Sequence, residues 1–111
     1  MAGGAGSTRR SGVRELHVRP RALADIAEIR RYTRKTCGPV QARTYLNELG
    51  ARFEAIADGT ARSVVVHAKN RPFGRCRYTE HFIFFQELPD AVEIVRVLHP
   101  RRDIAAQLSE S

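Results

Sequence analysis

The sequence is poor in cysteine, with only Cys37 and Cys76 among its 111 residues. The two lie far apart and form no Cys-x-x-Cys pair, which is the spacing that marks many zinc and redox sites. Two isolated cysteines also do not suggest a disulfide framework of the kind found in oxidising compartments. The composition therefore favours reduced thiols and predicts neither a bound metal nor a cofactor.

Long apolar runs are also missing from the chain. No segment approaches the roughly 18 consecutive apolar residues of a membrane-spanning helix. The early pair Arg9-Arg10 is not followed by the apolar stretch that a secretory signal needs. Both absences predict a cytoplasmic protein with no membrane partner.

Lysine is scarce as well, because 17 of the 19 basic residues are arginine and only Lys35 and Lys69 are lysine. One interpretation is a guanidinium-lined surface for phosphate or carboxylate, since arginine offers a planar donor fork that lysine lacks. The alternative is the codon bias of a GC-rich genome. The formal net charge of +7 does not depend on that choice, and it predicts attraction to nucleic acid or to acidic proteins.

The length and the remaining composition are those of one globular domain. Apolar residues make up 42% of the chain and charged residues 28%, a typical balance for a folded protein. Residues 1–12 are rich in glycine and serine and lack apolar periodicity, so they are predicted to form a flexible tail. Residues 13–111 are predicted to form a single domain without internal repeats.

Apolar periodicity predicts two consecutive helices behind a short N-terminal strand at Val13–Val18. The first helix is predicted over Arg21–Cys37, with Asp25 on its solvent face. Gly38-Pro39 then separates it from a second helix that ends at Asp58-Gly59. A two-residue break between long helices predicts an antiparallel helical hairpin.

The second half of the chain has strand patterns. Three strands are predicted, at 75–79, 81–86 and 91–98, with a short helix over 103–108. Val64–Val66 is a candidate for a short edge strand, but Asn70, Pro72 and Gly74 predict a turn-rich connection after it. Strict alternation in the last strand places Arg96 on the same face as Ile94.

These elements predict an α+β fold. The antiparallel helical hairpin is expected to pack on a mainly antiparallel four-stranded sheet, with the N-terminal strand before it and a short C-terminal helix after it. The aromatic run Phe82–Phe85 is interpreted as sheet core, because both faces of an interior strand are apolar.

Four stretches of the chain have a distinctive order and spacing. They are Ala22-x-x-Asp25-Ile26-x-x-Ile29-x-x-Tyr32, Gly38-x-x-Gln41-Ala42-x-x-Tyr45-x-x-x-Leu49, Arg77-Tyr78 before His81-Phe-Ile-Phe-Phe85, and Ile94-Val-Arg-Val-Leu-His99-x-Arg-Arg-Asp103. Together they resemble the RelE/ParE toxin superfamily, and its ParE branch in particular, over about residues 14–108. The resemblance implies the toxin of a bacterial type II toxin–antitoxin pair, with the helical hairpin on one face of a curved antiparallel sheet.

The resemblance also implies partners and targets. A ParD-like antitoxin is expected to bind the toxin, and an acidic segment of it would suit the basic first helix. The antitoxin-binding residues predicted on this basis are Arg30, Arg31, Arg34 and Tyr45. ParE-like members poison DNA gyrase, whereas RelE-like members cleave ribosome-bound mRNA, and the fold alone does not choose between them.

The two targets demand different chemistry. RNA cleavage needs groups that move protons and cations that stabilise the phosphate. The candidates are Arg77, Glu80, His81, Arg96 and His99. That set lacks the lysines and the C-terminal tyrosine that RelE-like nucleases share. The leading hypothesis is therefore a growth-arresting toxin that binds gyrase without a catalytic step. Its predicted target-binding residues are Arg77, Arg96, His99, Arg101 and Arg102.

Structural roles compete with these functional ones. Arg77 and Arg96 alternate with apolar residues, so desolvation requires a carboxylate, a phosphate or a rim position for each. Pairing with Glu93 or Asp103 is as consistent with the pattern as contact with a target. His99 can simply hydrogen-bond the end of the sheet. A degenerate, non-toxic member that retains only antitoxin or nucleic-acid binding remains a third hypothesis.

Overall fold

A computed structural model of the chain describes residues 14–109, so the predicted tail at 1–12 and the predicted start of the first strand at Val13 lie outside the described residues. The elements are β1 (Glu15–Val18), α1 (Pro20–Cys37), α2 (Pro39–Ala57), β2 (Val64–Ala68), β3 (Arg71–Tyr78), β4 (His81–Glu87), β5 (Ala91–Leu98) and α3 (Ile104–Ser109). This order confirms the predicted α+β class. None of the helices within the described range has the length and apolar character needed to cross a membrane.

The helical hairpin follows from proline and glycine placement. Pro20 and Pro39 each stand at the start of a helix, where the N–H that proline lacks would have no intrahelical partner. Gly38 between the helices has a φ of 93°, a left-handed value that glycine adopts readily. Its N–H closes α1 by donating to the Arg34 carbonyl at 3.0 Å. The predicted break at this point is confirmed.

The sheet has five strands in the order β1-β5-β4-β3-β2. Among the strands of residues 14–109, only β1 and β5 run parallel, while the other neighbours are antiparallel. The sheet thus has one strand more than predicted, because Val64–Ala68 pairs along its whole length with β3 as an edge strand. The predicted turn-rich connection contracts to Lys69-Asn70, both at positive φ.

Pro72 and Gly74 lie within β3 rather than in a turn. Pro72 precedes the part of β3 that pairs with β4, so no hydrogen-bond donor is missing on that side. Gly74 pairs with Phe85, whose ring occupies the place that a side chain at residue 74 would fill. Proline and glycine resemble turn signals in the sequence, but here both residues fit the hydrogen bonding and packing of a strand.

Two apolar clusters lie on opposite faces of the sheet. The first lies between the sheet and the helical hairpin and includes Leu49, Phe53, Ile83, Phe85, Val92 and Ile94. The second lies under α3 and consists of Ala68, Phe73, Phe84, Val95, Leu98 and Leu108. Successive residues of β4 alternate between the clusters, which confirms the interpretation of Phe82–Phe85 as core.

A β-bulge changes the faces of β5. Phe84 pairs with Arg96, but the next residue, Phe85, pairs with Ile94. Val95 therefore has no partner in β4. Val97 consequently joins the first cluster together with Ile94. The predicted strict alternation is therefore wrong from Val95 onward. Arg96 pairs with Phe84, which belongs to the second cluster, so the Arg96 side chain leaves β5 on that face.

A buried ion pair joins α1 to β5. The Arg96 guanidinium donates from Nε to Asp25 Oδ2 at 2.7 Å and from Nη2 to Oδ1 at 2.9 Å. The Val97 N–H donates to the same carboxylate at 2.9 Å. β1 ends opposite Ile94, so beyond that point the Asp25 carboxylate supplies an acceptor that a neighbouring strand would otherwise provide.

This pair corrects two predictions. Asp25 was expected on the solvent face of its helix, but it is only 6% exposed. A structural pair with Glu93 or Asp103 was one of two alternatives for Arg96, but its partner is Asp25, and Glu93 instead binds Arg19 at 2.6 Å. Arg96 also donates from Nη1 to the Gln107 side chain at 3.0 Å, so its guanidinium connects α1, β5 and α3.

Candidate functional site

One end of the sheet gathers most of the predicted site residues. β3 ends, β4 begins and β5 ends here, as the ladder pair Tyr78–His81 shows. Arg77, His81 and His99 therefore stand within one residue of a strand end. The chain leaves β5 through residues 99–103, which we name the charged turn, and the Arg102 N–H closes it by donating to the His99 carbonyl at 3.0 Å.

A groove of about 460 Å³ lies between α1 and this end of the sheet, and we name it the α1 groove. Its lining residues are Asp25, Glu28, Ile29, Tyr32, Glu80, His81, Val97, His99, Arg101 and Arg102. Arg102 lies 3.6 Å from Glu28, with 45% and 64% of the two side chains exposed. A pair this exposed contributes little to stability, so its groups stay accessible to a partner.

His81 is held by hydroxyl groups and rings. Its Nδ1 lies 2.7 Å from the Tyr45 hydroxyl, which in turn lies 2.6 Å from the Thr79 hydroxyl. The His81 ring meets His99 edge to face, with 5.7 Å between the ring centroids. Tyr45 meets Tyr78 in the same way at 5.0 Å. We name Tyr45, Tyr78, Thr79, His81 and His99 the His81 cluster. It connects α2 to the end of the sheet.

Burial disfavours the charged forms of three residues in the His81 cluster, His81, Tyr45 and Tyr78. It lowers the pKa of His81, and the nearby His99 lowers it further, while Glu80 and Asp25 oppose the shift. Burial also raises the pKa of Tyr45, and it raises that of Tyr78 to about 12. Near neutral pH the cluster therefore holds an uncharged His81 imidazole and two protonated phenols.

The depressed pKa of His81 predicts a loss of folding stability in mild acid. The unfolded chain binds a proton at this imidazole near pH ~6.5, whereas the folded protein does so only at lower pH. Between the two pKa values the unfolded state binds more protons, so stability falls as pH falls through this window and levels off below the folded pKa. Urea unfolding at several pH values should show this decline.

Two histidine substitutions make that measurement specific. His81→Gln should weaken the decline of stability with pH, because the titrating group is removed. His17→Gln removes an imidazole whose side chain is 51% exposed, and it should leave the decline in place. An identical pH dependence in the wild type and in His81→Gln would contradict the assignment.

The structure places the two predicted sheet arginines apart. The Arg96 side chain is 5% exposed and bound to Asp25, so it faces no surface that a partner could contact. Arg77 is exposed, and its guanidinium lies over the Phe82 ring with 5.7 Å to the centroid. Since Phe82 packs against the second cluster, Arg77 reaches the sheet end from the face opposite the α1 groove.

The predicted antitoxin-binding residues also separate. Arg30, Arg31 and Arg34 are exposed together on α1, on the side away from the buried Ile29, as the helical period requires. We name this surface the outer face of α1. Tyr45 does not belong to it, because it is half-buried in α2 and its hydroxyl is engaged in the His81 cluster.

Sequence reasoning missed several lining residues of the groove. Glu28 and Tyr32, which follow Asp25 at helical spacing on α1, are among them. A signal for Asp25 did exist, since it lies three residues after the buried Ala22 and four before Ile29. Glu28 carries no such signal, because an exposed carboxylate on a helix is ordinary.

The cysteines and the possible metal ligands lie within the residues that the structure describes. Cys37 is exposed at the end of α1, Cys76 is buried in the first cluster, and neither is in a disulfide. Across residues 14–109, no three His, Cys, Asp or Glu side chains come together as a metal site would require.

Comparisons with known proteins agree on one family and one fold. Residues 16–104 match the family model described as ParE toxin of type II toxin-antitoxin system, parDE. Toxin ParE1 of Caulobacter vibrioides (strain ATCC 19089 / CIP 103742 / CB 15) is 33% identical over 88 residues, which are 79% of this chain and 91% of that protein. A solved structure titled "Chromosomal ParDE TA system from P. aeruginosa" superimposes with a TM-score of 0.64 at 16% identity, covering 80% of this chain and 98% of that chain. The solved structure thus shares the fold.

Proposed function

We propose, from the premise that the chain belongs to the ParE toxin family of type II toxin–antitoxin systems, that it inhibits DNA gyrase by binding and is neutralised by a ParD-like antitoxin. The observation that carries the target proposal is the charged turn. His99, Arg101 and Arg102 converge there on the α1 groove. The two arginine side chains are exposed, so they can contact a protein surface without rearrangement of the fold.

The groove has the make-up of a protein-binding site. Ile29 and Val97 give it an apolar floor, and exposed charges surround them. Protein interfaces commonly combine an apolar centre with a polar rim. Tyr32 is 66% exposed beside the groove, and tyrosine and arginine are the residue types that often dominate binding energy.

The outer face of α1 supports a separate antitoxin site. Arg30, Arg31 and Arg34 present three positive charges, and Leu23, two turns before Arg30, is 55% exposed on the same side. An amphipathic acidic segment would match this surface with carboxylates and an apolar anchor. The antitoxin and gyrase would then use different sides of α1.

RNA cleavage is the second candidate function, because the structure brings two imidazoles together in the α1 groove. One of His81 and His99 would take the proton of a ribose 2′-hydroxyl as its oxygen attacks the phosphorus. The other would give a proton to the departing 5′-oxygen, and Arg101 would stabilise the phosphate. His81 has only Nε2 available for this work, since its Nδ1 is bound to Tyr45.

A paired assay separates the two candidates. The purified chain is incubated with gyrase, supercoiled plasmid and ATP, and broken DNA is counted after the gyrase has been denatured and digested. In parallel, mRNA on ribosomes is analysed by primer extension. A gyrase-binding toxin should increase trapped DNA breaks and leave the mRNA intact. Ribosome-dependent mRNA cuts that disappear in His81→Ala or His99→Ala would overturn the gyrase proposal.

A further inference from the structure

Three arginines lie along one face of β3 and are separate from the α1 groove. Side chains alternate along a strand, so Arg71, Arg75 and Arg77 point to the same side. Arg77 pairs with Phe82 and Arg75 with Phe84, and both rings pack in or against the second cluster. We name these three arginines the arginine stripe, and it lies on the sheet face away from the helical hairpin.

The stripe has an uneven spacing, because the buried Phe73 lies between Arg71 and Arg75 on the same face. Alternate residues on an antiparallel strand are ~6.8 Å apart, so Arg75 and Arg77 are separated by ~6.8 Å and Arg71 and Arg75 by ~13.6 Å. Successive phosphates along one strand of nucleic acid have a comparable separation. The two intervals of the stripe therefore correspond to two repeats and one repeat of a phosphodiester backbone.

The guanidinium groups of the stripe lie over aromatic rings, and Arg77 also donates from Nε to the Thr79 carbonyl at 3.0 Å. Arg75 lies 4.5 Å and Arg77 lies 5.7 Å from the centroid of Phe82, and Arg71 lies 5.5 Å from that of Phe73. Among residues 14–109, none of the three forms an ion pair. The neighbouring α3 contributes no acidic residue from 104 to 109. The described residues thus do not neutralise the positive charge of the stripe locally.

We propose that the arginine stripe binds the phosphate backbone of duplex DNA without reading its sequence. Each guanidinium can donate two parallel hydrogen bonds to a phosphate, and the net charge of +7 attracts the polyanion. This binding is independent of the gyrase proposal, because the stripe itself supplies the contacts.

The aromatic residues of this face favour duplex DNA over single-stranded nucleic acid. Binding of single strands depends on aromatic rings that stack with the bases. On this face Phe82 is covered by Arg75, while Phe73 and Phe84 are only 2% and 1% exposed. This face therefore presents guanidinium groups rather than exposed aromatic rings, an arrangement that suits binding to a phosphate backbone.

Fluorescence anisotropy with a labelled duplex tests the proposal in the absence of gyrase. Three phosphate contacts give a slope of about −2.7 in log affinity against log salt, or about 40-fold weaker binding at ~200 mM than at ~50 mM NaCl. Replacing Arg71, Arg75 and Arg77 together by glutamine should weaken binding at least about tenfold at low salt and flatten the slope. The matched control replaces Arg30, Arg31 and Arg34, which removes the same charge from α1 and should change affinity less than about twofold.

Several outcomes would overturn the proposal. They are no binding by the wild type, equal losses in the two triple variants, and tighter binding to single-stranded RNA of the same length. If circular dichroism shows that the stripe variant is unfolded, the exposed single variants Arg71→Gln and Arg77→Gln replace it. Each should reduce the salt slope by about one, and two unchanged slopes would count against the stripe.

Discussion

Asp25→Asn should lower the free energy of unfolding by about 3–5 kcal/mol. The substitution preserves shape but removes the charge that compensates Arg96, whose side chain is 5% exposed. Arg96 cannot lose its proton, so an uncompensated positive charge would remain buried against β5. The Val97 N–H would also exchange a charged acceptor for a weaker, neutral one.

Urea unfolding of three variants tests this expectation. Glu28→Gln, one turn further along α1, breaks only the exposed pair with Arg102 and should cost less than about 1 kcal/mol. The double variant Asp25→Leu with Arg96→Met removes both charges and should recover most of the loss, since apolar replacements of buried pairs are often neutral or stabilising. A loss below about 1 kcal/mol for Asp25→Asn would show that Arg96 does not depend on its partner.

Replacing Arg101 and Arg102 together by alanine should weaken gyrase inhibition about tenfold to a hundredfold. Both side chains are exposed in the charged turn, and neither belongs to a buried cluster. The loss should therefore come from the interface with gyrase and leave folding unchanged. Antitoxin binding should stay within about twofold of the wild type, because the outer face of α1 is untouched.

A crossed experiment makes this prediction specific. Alanine at Arg30, Arg31 and Arg34 should weaken antitoxin binding and leave gyrase trapping intact. Alanine at Arg43 and Arg62, two exposed arginines outside both surfaces, removes the same charge as the turn variant and should affect neither activity. If the control pair reduces inhibition as much as the turn pair, net charge and not the charged turn governs binding.

The helices were predictable because their signals are local. Apolar periodicity and the Gly38-Pro39 break each involve residues that are close together in the chain, and together they specify the hairpin. The pairing of β2 with β3 was harder to predict, because Pro72 and Gly74 resemble turn signals. Their places in β3 depend on where β4 pairs and on the ring of Phe85, which lies 11 residues beyond Gly74 in the sequence.

The site was predictable only in part. His99, Arg101 and Arg102 adjoin one strand end, so their proximity follows from the strand prediction. The partnership of Asp25 with Arg96 spans 71 residues, and that of Tyr45 with His81 spans 36. Such pairs arise from the way helices dock on the sheet and from the bulge at Val95, and neither has a local pattern in the sequence.

The parallel pairing of the first strand with the last has a consequence for the timing of synthesis. β5 lies between β1 and β4, so among the described strands β1 pairs with β5 alone. Until β5 emerges from the ribosome, the first strand stays unpaired, Asp25 lacks Arg96, and the charged turn does not yet exist. Non-local pairing of this kind forms late. The end of the sheet that carries the charged turn is therefore assembled only after β5 has been synthesised, whereas α1 and its outer face are made much earlier.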